Sequence, residues 1–284
     1  MKIKVTFMSG AGNLFSVIDN RKYKFNVNQG KILAELFCNK NEFNDFKTEG
    51  LMFLENGKDY LDFECKFYNP DGSTGMMCGN GGRAITRFAE LSGILKNKGN
   101  INFLMSGDIY HSEIEENDIK LYMPPARTNP YKLNLQTSDK EYNGFFSNTG
   151  TNHYVLDTTN SNLDFNDFDI NKLGSELRFH KEFAPIGSNI NFVKIEDRKL
   201  YLRTFEKGVE AETGACGTGA VAVGLTYNHF FNFDFPITII PSSKEMLTID
   251  VVKNGDTIIN MILQGPAKIL FESEFNINDS KLLI

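Results

Sequence analysis

Two of the four cysteines in this 284-residue sequence share a local pattern. Cys78-Gly79-Asn80-Gly81-Gly82 precedes the run AITRFAEL, and Cys216-Gly217-Thr218-Gly219-Ala220 precedes VAVGLTYN. Both runs read as helices, so each cysteine stands at a helix start. A thiol there meets the positive end of the helix dipole and backbone N–H groups without intrahelical partners, which favour the thiolate. The glycines let a ligand approach the backbone closely, and the same N–H groups form a site for a carboxylate. A thiolate on one face of a carbon α to a carboxylate, with a thiol on the other, is the equipment for inverting that stereocentre. One sulfur removes the α-proton and the other returns a proton to the opposite face. Donors aimed at the carboxylate stabilise the carbanion.

Other readings of the same residues stay open at this level. Two structural cysteines with capping glycines, or a redox thiol pair, fit the pattern too. Cys38 and Cys65 lie among apolar neighbours and read as buried small hydrophobes. No C-x-x-C spacing occurs, and His111, His153, His180 and His229 do not cluster in sequence, so no metal site is expected. Ser9-Gly10-Ala11-Gly12-Asn13 holds only the beginning of a dinucleotide fingerprint.

The elements that must position the cysteines are mostly short strands. Alternation predicts strands over 1–7, 15–19, 50–54, 61–68, 101–105, 109–114, 119–123, 153–157, 190–195, 200–205, 237–240, 247–252 and 257–262. A hairpin is expected around Asn56-Gly57. Helices are expected over 29–39, 82–91, 170–179 and 219–229. Arg83 and Arg87 fall on the second of these and read as a solvated or salt-bridged face. Pro124-Pro125 opens a polar stretch to about 143 that reads as a boundary. The C-G-x-G copies, 138 positions apart with one in each half, point to a duplicated α/β architecture.

Composition bounds the function. Hydrophobic residues make up 41% and charged residues 23%, as in ordinary globular proteins. The net charge of −6 argues against global attraction to nucleic acid or anionic lipid. No apolar run has the length of a membrane span, and the first residues lack a signal-peptide pattern. A cytoplasmic location with reduced thiols is therefore expected.

With these residues in view, the sequence resembles the diaminopimelate epimerase family, pyridoxal-independent two-cysteine enzymes. The matching segments, in the family's order, are Gly10-Ala11-Gly12-Asn13, YNPDGS (68–73), CGNGGR (78–83), Asn189-Ile190-Asn191-Phe192 and EKGVEAETGACGTG (206–219). The resemblance implies that Cys78 and Cys216 are the acid–base pair. It implies that backbone N–H groups of Gly79, Asn80, Gly217 and Thr218 hold the reacting carboxylate. Asn13, Asn69 and Asn189 would bind polar groups of the substrate. Glu206 would bind the distal ammonium, with Lys207 beside it, and Glu206 and His153 would tune the cysteine pKa values. The implied fold is α/β (α+β): two similar domains, each a curved, mostly antiparallel sheet around a central helix, with the active site in the interdomain cleft. The expected division is 1–123 and 124–267, with 268–284 returning to the first domain. No cofactor or metal, an amino-acid substrate (diaminopimelate), no nucleic-acid or membrane partner and a homodimer are also expected.

Three departures from the family pattern bear on the substrate. Leu14 follows Asn13 where the family has aspartate. Lys207 follows Glu206 where the family has arginine, and lysine does not clamp a carboxylate bidentately. Thr151-Asn152 precedes His153 where the family has Asn or Ser before Pro-His. All three spare the reacting centre. They keep a second expectation in play, a related two-cysteine racemase for another amino acid. A proline racemase relative fits the flanking segments less well.

Overall fold

The computed structural model describes residues 1–40, 45–74, 78–138, 140–159, 161, 163–278 and 282. The chain forms two compact units, Met1–Leu121 with Gly265–Ile284, and Tyr122–Gln264. It is a two-domain α+β protein with mixed sheets and few helices.

The first unit runs β1 (Lys2–Gly10), β2 (Asn13–Asp19), a single helical turn α1 (Asn20–Tyr23), α2 (Val27–Cys38), β3 (Leu51–Asn56), β4 (Phe63–Tyr68), α3 (Gly79–Leu91), β5 (Ile101–Met105), β6 (Asp108–Glu115) and β7 (Asp118–Met123). β1 and β2 join through Ala11 and Gly12, both at positive φ (55° and 95°), with Gly10 opposite Asn13. Two left-handed residues give the hairpin a twist that matches its strands. β2 pairs parallel with β3, β3 antiparallel with β4, β4 parallel with β5, and β5 antiparallel with β6. α2 begins two residues before the periodicity indicates. Asn26 caps it, accepting from the Gln29 backbone while the Gln29 side chain accepts from the Asn26 N–H. Leu33, Ala34 and Phe37 of α2 pack with Ile3, Val5 and Phe7 of β1, which alternate onto that face.

The second unit runs β8 (Thr128–Gln136), β9 (Glu141–Asn148), β10 (Asn152–Asp157), α4 (Ile170–Arg178), β11 (Asn189–Glu196), β12 (Lys199–Glu206), β13 (Ala211–Thr213), α5 (Gly217–Phe231), β14 (Ile237–Pro241), β15 (Leu247–Asn254) and β16 (Thr257–Asn276). Its pairings repeat the first unit's alternation. β9–β10 is antiparallel, β10–β11 parallel, β11–β12 antiparallel, β12–β14 parallel and β14–β15 antiparallel. In both units the cysteine-bearing helix lies in the crossover to the later strand of the second parallel pair. The C-G-x-G repeat therefore marks a repeat of the whole unit.

α3 and α5 are the central helices. Gly79–Ile85 and Gly219–Tyr227 are buried throughout, so these stretches present no solvent face. That corrects the expectation for Arg83, which is fully buried. Arg87 does form the expected salt bridge, to Glu90. Both helices begin earlier than expected, at Gly79 and Gly217, because tertiary packing overrides the poor helix propensity of their glycines.

Two stretches hold more strand than the pattern indicates. The polar stretch after Pro124-Pro125 carries β8 and β9. No strand is expected there from alternation, because β8 pairs only with β9 among the described residues and leaves much of its length exposed, with Pro130 at a register shift. The strand expected over 257–262 continues to Asn276. Its first part pairs with β15 as far as Gln264, and from Ala267 it pairs with β1. Gly265-Pro266 stands where the partner changes, so the proline falls outside both of these ladders.

Candidate active site

In the first unit, Cys78 is the N-cap of α3, with φ −116° and ψ 121°, and its side chain does not cap the helix. The first intrahelical bond runs from the Gly82 N–H to the Cys78 carbonyl (2.8 Å), so the Gly79, Asn80 and Gly81 N–H groups precede it. Cys78 is partly exposed. Gly10 at the end of β1 lies against this helix start: a Cβ there would sit 2.4 Å from the Asn80 carbonyl oxygen. The first glycine of the GAGN segment is thus required by close approach of the two backbones.

A buried polar chain runs beneath the helix start. Arg83 Nη2 donates to Asn80 Oδ1 (2.6 Å), and Asn80 Nδ2 donates to Asn13 Oδ1 (2.5 Å). Asn13 Nδ2 then donates to Glu49 Oε1. A guanidinium at one end and a carboxylate at the other give the chain one direction and fix both amides. Asn13 and Asn80 are thereby brought together. Asn69 stands on its own turn, where its N–H donates to the Ser73 carbonyl (2.9 Å), its Nδ2 to Ser73 Oγ (2.9 Å), and Gly72 takes φ +77°.

In the second unit, Cys216 is the N-cap of α5, with φ −117° and ψ 112°, and is buried. The Ala220 N–H bonds to its carbonyl (2.8 Å), leaving Gly217, Thr218 and Gly219 ahead of the first intrahelical bond. Thr218 Oγ1 lies 3.6 Å from Cys216 Sγ and 3.0 Å from His153 Nε2. His153 Nδ1 lies 3.2 Å from Asn191 Nδ2. Burial, with the Lys207 charge adding to it, pushes the His153 pKa down to about 3, so the ring is neutral.

The acidic segment 206–213 sorts its carboxylates by partner. Glu212 is held bidentately by Arg203 (2.9 and 2.7 Å) and accepts from Ser242, and Glu210 pairs with Arg178 (3.2 Å). Glu206 accepts from the neutral Thr213 hydroxyl (2.7 Å) and pairs with no cation among the described residues. Burial raises its pKa. Asn189 Oδ1 accepts from the Lys207 backbone N–H (2.8 Å), and its Nδ2 donates to the Asn152 carbonyl (3.0 Å). His153, Asn189, Glu206, Lys207 and Thr218 thus fall into short chains of direct contact around α5 and the ends of β10–β12.

Sequence reading missed Glu49, Thr204 and the part played by Asn191. Only Asn191 left a signal. It is two residues from Asn189 on a strand, so both side chains share a face.

The diaminopimelate epimerase family description matches residues 5–128. The diaminopimelate epimerase of Aquifex aeolicus is 34% identical over 283 residues, covering 95% of this chain and 96% of that protein. This chain belongs to the diaminopimelate epimerase family. The enzyme of that name from Chlorobaculum tepidum is 35% identical over 274 residues, covering 93% and 98% of the two chains. Membership makes this protein an isomerase. Diaminopimelate epimerase relatives thus match almost end to end, so the segments around both cysteines fall within the family likeness. The fold is shared more widely. A probable proline racemase from Agrobacterium radiobacter superposes with a TM-score of 0.73 at 12% identity, over 97% of this chain and 93% of that one. A Bacillus anthracis protein of the PhzF phenazine biosynthesis family gives 0.72 at 14%, over 98% and 100%.

Proposed function

We propose that this enzyme interconverts LL- and meso-2,6-diaminopimelate by two-base proton transfer between Cys78 and Cys216. The observation that carries this is the equivalence of the two cysteines, each the N-cap of a buried helix with a glycine-rich first turn, in a member of this family. In one direction a thiolate takes the α-proton and becomes a thiol. The Cα–H electron pair passes into the carboxylate-stabilised carbanion. The second thiol then delivers its proton to the opposite face and is left as thiolate. The reverse direction starts from this exchanged state, and before a further turnover in the forward direction the two sulfurs trade a proton through solvent, so the proton transfer itself calls on no cofactor.

The remaining assignments are those the family resemblance implies. N–H groups of Gly79, Asn80, Gly217 and Thr218 bind the reacting carboxylate and stabilise the charge that develops on it. Asn13, Asn69 and Asn189 bind polar groups of the substrate. Glu206 binds the distal ammonium, which suits a partly buried carboxylate that pairs with no cation among the described residues. Lys207 neutralises the distal carboxylate. His153 and Glu206 tune the thiols. A place in lysine and peptidoglycan precursor synthesis, a cytoplasmic site of action and a homodimeric state complete the reading.

Lys207, in the place of an arginine, favours one competitor: a racemase of the same chemistry acting on another amino acid. Incubating the enzyme with a panel of amino acids in D₂O and following α-deuteration by NMR separates the two. Deuterium entering diaminopimelate is the expected result. Deuterium entering only a different amino acid overturns the substrate assignment and leaves the chemistry standing.

A further inference from the structure

We infer that Asn191 is a positioning residue that holds His153 as its Nε2–H tautomer and so turns the Thr218 hydroxyl onto the Cys216 sulfur. The argument starts from a carbonyl. Tyr154 O lies 3.1 Å from Asn191 Nδ2, and a carbonyl oxygen only accepts. The atom facing it is therefore the amide nitrogen. The other side of the amide agrees, because Asn191 Oδ1 accepts from Thr204 Oγ1 (3.1 Å). The same nitrogen faces His153 Nδ1 at 3.2 Å, and its second hydrogen points there. Nδ1 is then the acceptor of a neutral imidazole, and the ring proton sits on Nε2.

From Nε2 the direction carries onward to the thiolate. Nε2–H donates to Thr218 Oγ1 at 3.0 Å, which leaves the hydroxyl's own hydrogen for Cys216 Sγ at 3.6 Å, and a thiolate there only accepts. The chain ends as a donor on sulfur, which favours the thiolate over the thiol. His153 acts through its dipole, as a neutral ring. Lys207 is the charged group it feels. The space for this arrangement comes from Gly219, where a Cβ would lie 2.5 Å from Asn191 Oδ1 and 3.3 Å from Cys216 Sγ. Asn191 is fully buried in the same strand as Asn189, so it shapes the site from behind without reaching the substrate.

The inference rests on the proposed acid–base role of Cys216, but its test needs no turnover. In ¹⁵N-histidine-labelled enzyme, the His153 signal, assigned by its loss in His153→Gln, is expected to show a bare Nδ1 and a protonated Nε2. A protonated Nδ1 overturns the inference with no variant needed. The second measurement is the pH dependence of iodoacetamide alkylation, resolved by cysteine with mass spectrometry. Thr218→Val and Asn191→Leu are expected to move the Cys216 inflection upward by about one pH unit, the size of a lost hydrogen bond to a charged group. Thr218→Ser is expected to keep the wild-type inflection, and Cys78 to stay unmoved throughout. A wild-type Cys216 profile in folded Asn191→Leu overturns the inference. Failure of α-deuteration with the tautomer as expected would instead count against the epimerase reading alone.

Discussion

Cys78 and Cys216 occupy the same backbone position in their respective units, each an N-cap with φ within one degree and ψ within nine degrees of the other. Neither side chain caps its helix. Ser, Thr, Asp or Asn is the usual choice at this position, and a cysteine gives up that capping bond. Two such residues at matching places in a duplicated unit are what the proposed paired proton transfer requires.

The four cysteines should therefore separate in reactivity. Burial pushes the Cys38 thiol up to about 12 and Cys65 still further upward. Brief iodoacetamide treatment at pH 7 is expected to label Cys78 and Cys216 before Cys38 and Cys65. Faster labelling of Cys38 or Cys65 would contradict the assignment of roles.

Glu206 and Glu212 are only six residues apart but should fail differently when neutralised. Glu206→Gln is expected to raise KM for diaminopimelate 10- to 100-fold, on the order of a lost charge-assisted contact. Its stability should be unchanged or improved, because the native carboxylate is desolvated and pairs with no cation among the described residues. Glu212→Gln breaks the bidentate pair with Arg203 and is expected to lower stability by about 1–3 kcal/mol. Urea unfolding beside steady-state kinetics checks both, and a stability loss in Glu206→Gln would argue against a vacant ammonium site.

Gly10→Ala tests the backbone contact under Cys78. A methyl 2.4 Å from the Asn80 carbonyl oxygen must push the helix start away from β1. A loss of about 1–3 kcal/mol is expected from the overpacking, with reduced turnover in the folded fraction. Wild-type stability and rate would show that the helix start is not held there.

His153 makes a signed contribution to acid sensitivity. Its folded pKa, about 3, lies below the unfolded value of about 6.5, so the unfolded chain binds a proton that the native ring refuses. The stability it contributes is complete above the unfolded pKa and is lost as pH falls from there toward the folded one. Glu206 works in the opposite sense: its raised pKa means that acid relieves the cost of a buried charge. Between pH 7 and pH 4.5, wild type is expected to lose more unfolding free energy than His153→Gln. Equal losses would contradict a buried neutral imidazole.

Much of this was legible in the sequence because it is local. The CG-x-G pairs, the β alternation and the apolar surroundings of Cys38 and Cys65 report on near neighbours along the chain. What escaped depends on distant partners. Arg83 reads as a surface residue from helix periodicity alone, and its burial follows from enclosure of the first half of α3. Glu49 becomes part of the site only when the chain brings it to Asn13, 36 positions away. The β8–β9 hairpin is polar because of its exposed length, so no hydrophobic alternation announces it. Asn191 shows its face through the strand period, but not its partners on β10 and β12.

The central claim is that both sulfurs carry protons to and from one α-carbon. The most direct measurement is conversion of LL- to meso-diaminopimelate by Cys78→Ala and Cys216→Ala, with Cys65→Ala as control. Each of the first two is expected to lose at least about 10²-fold in rate, the lower range for a general acid or base. Cys65→Ala is expected to keep the wild-type rate. A folded Cys78→Ala or Cys216→Ala enzyme that equilibrates the isomers at the wild-type rate would contradict the account.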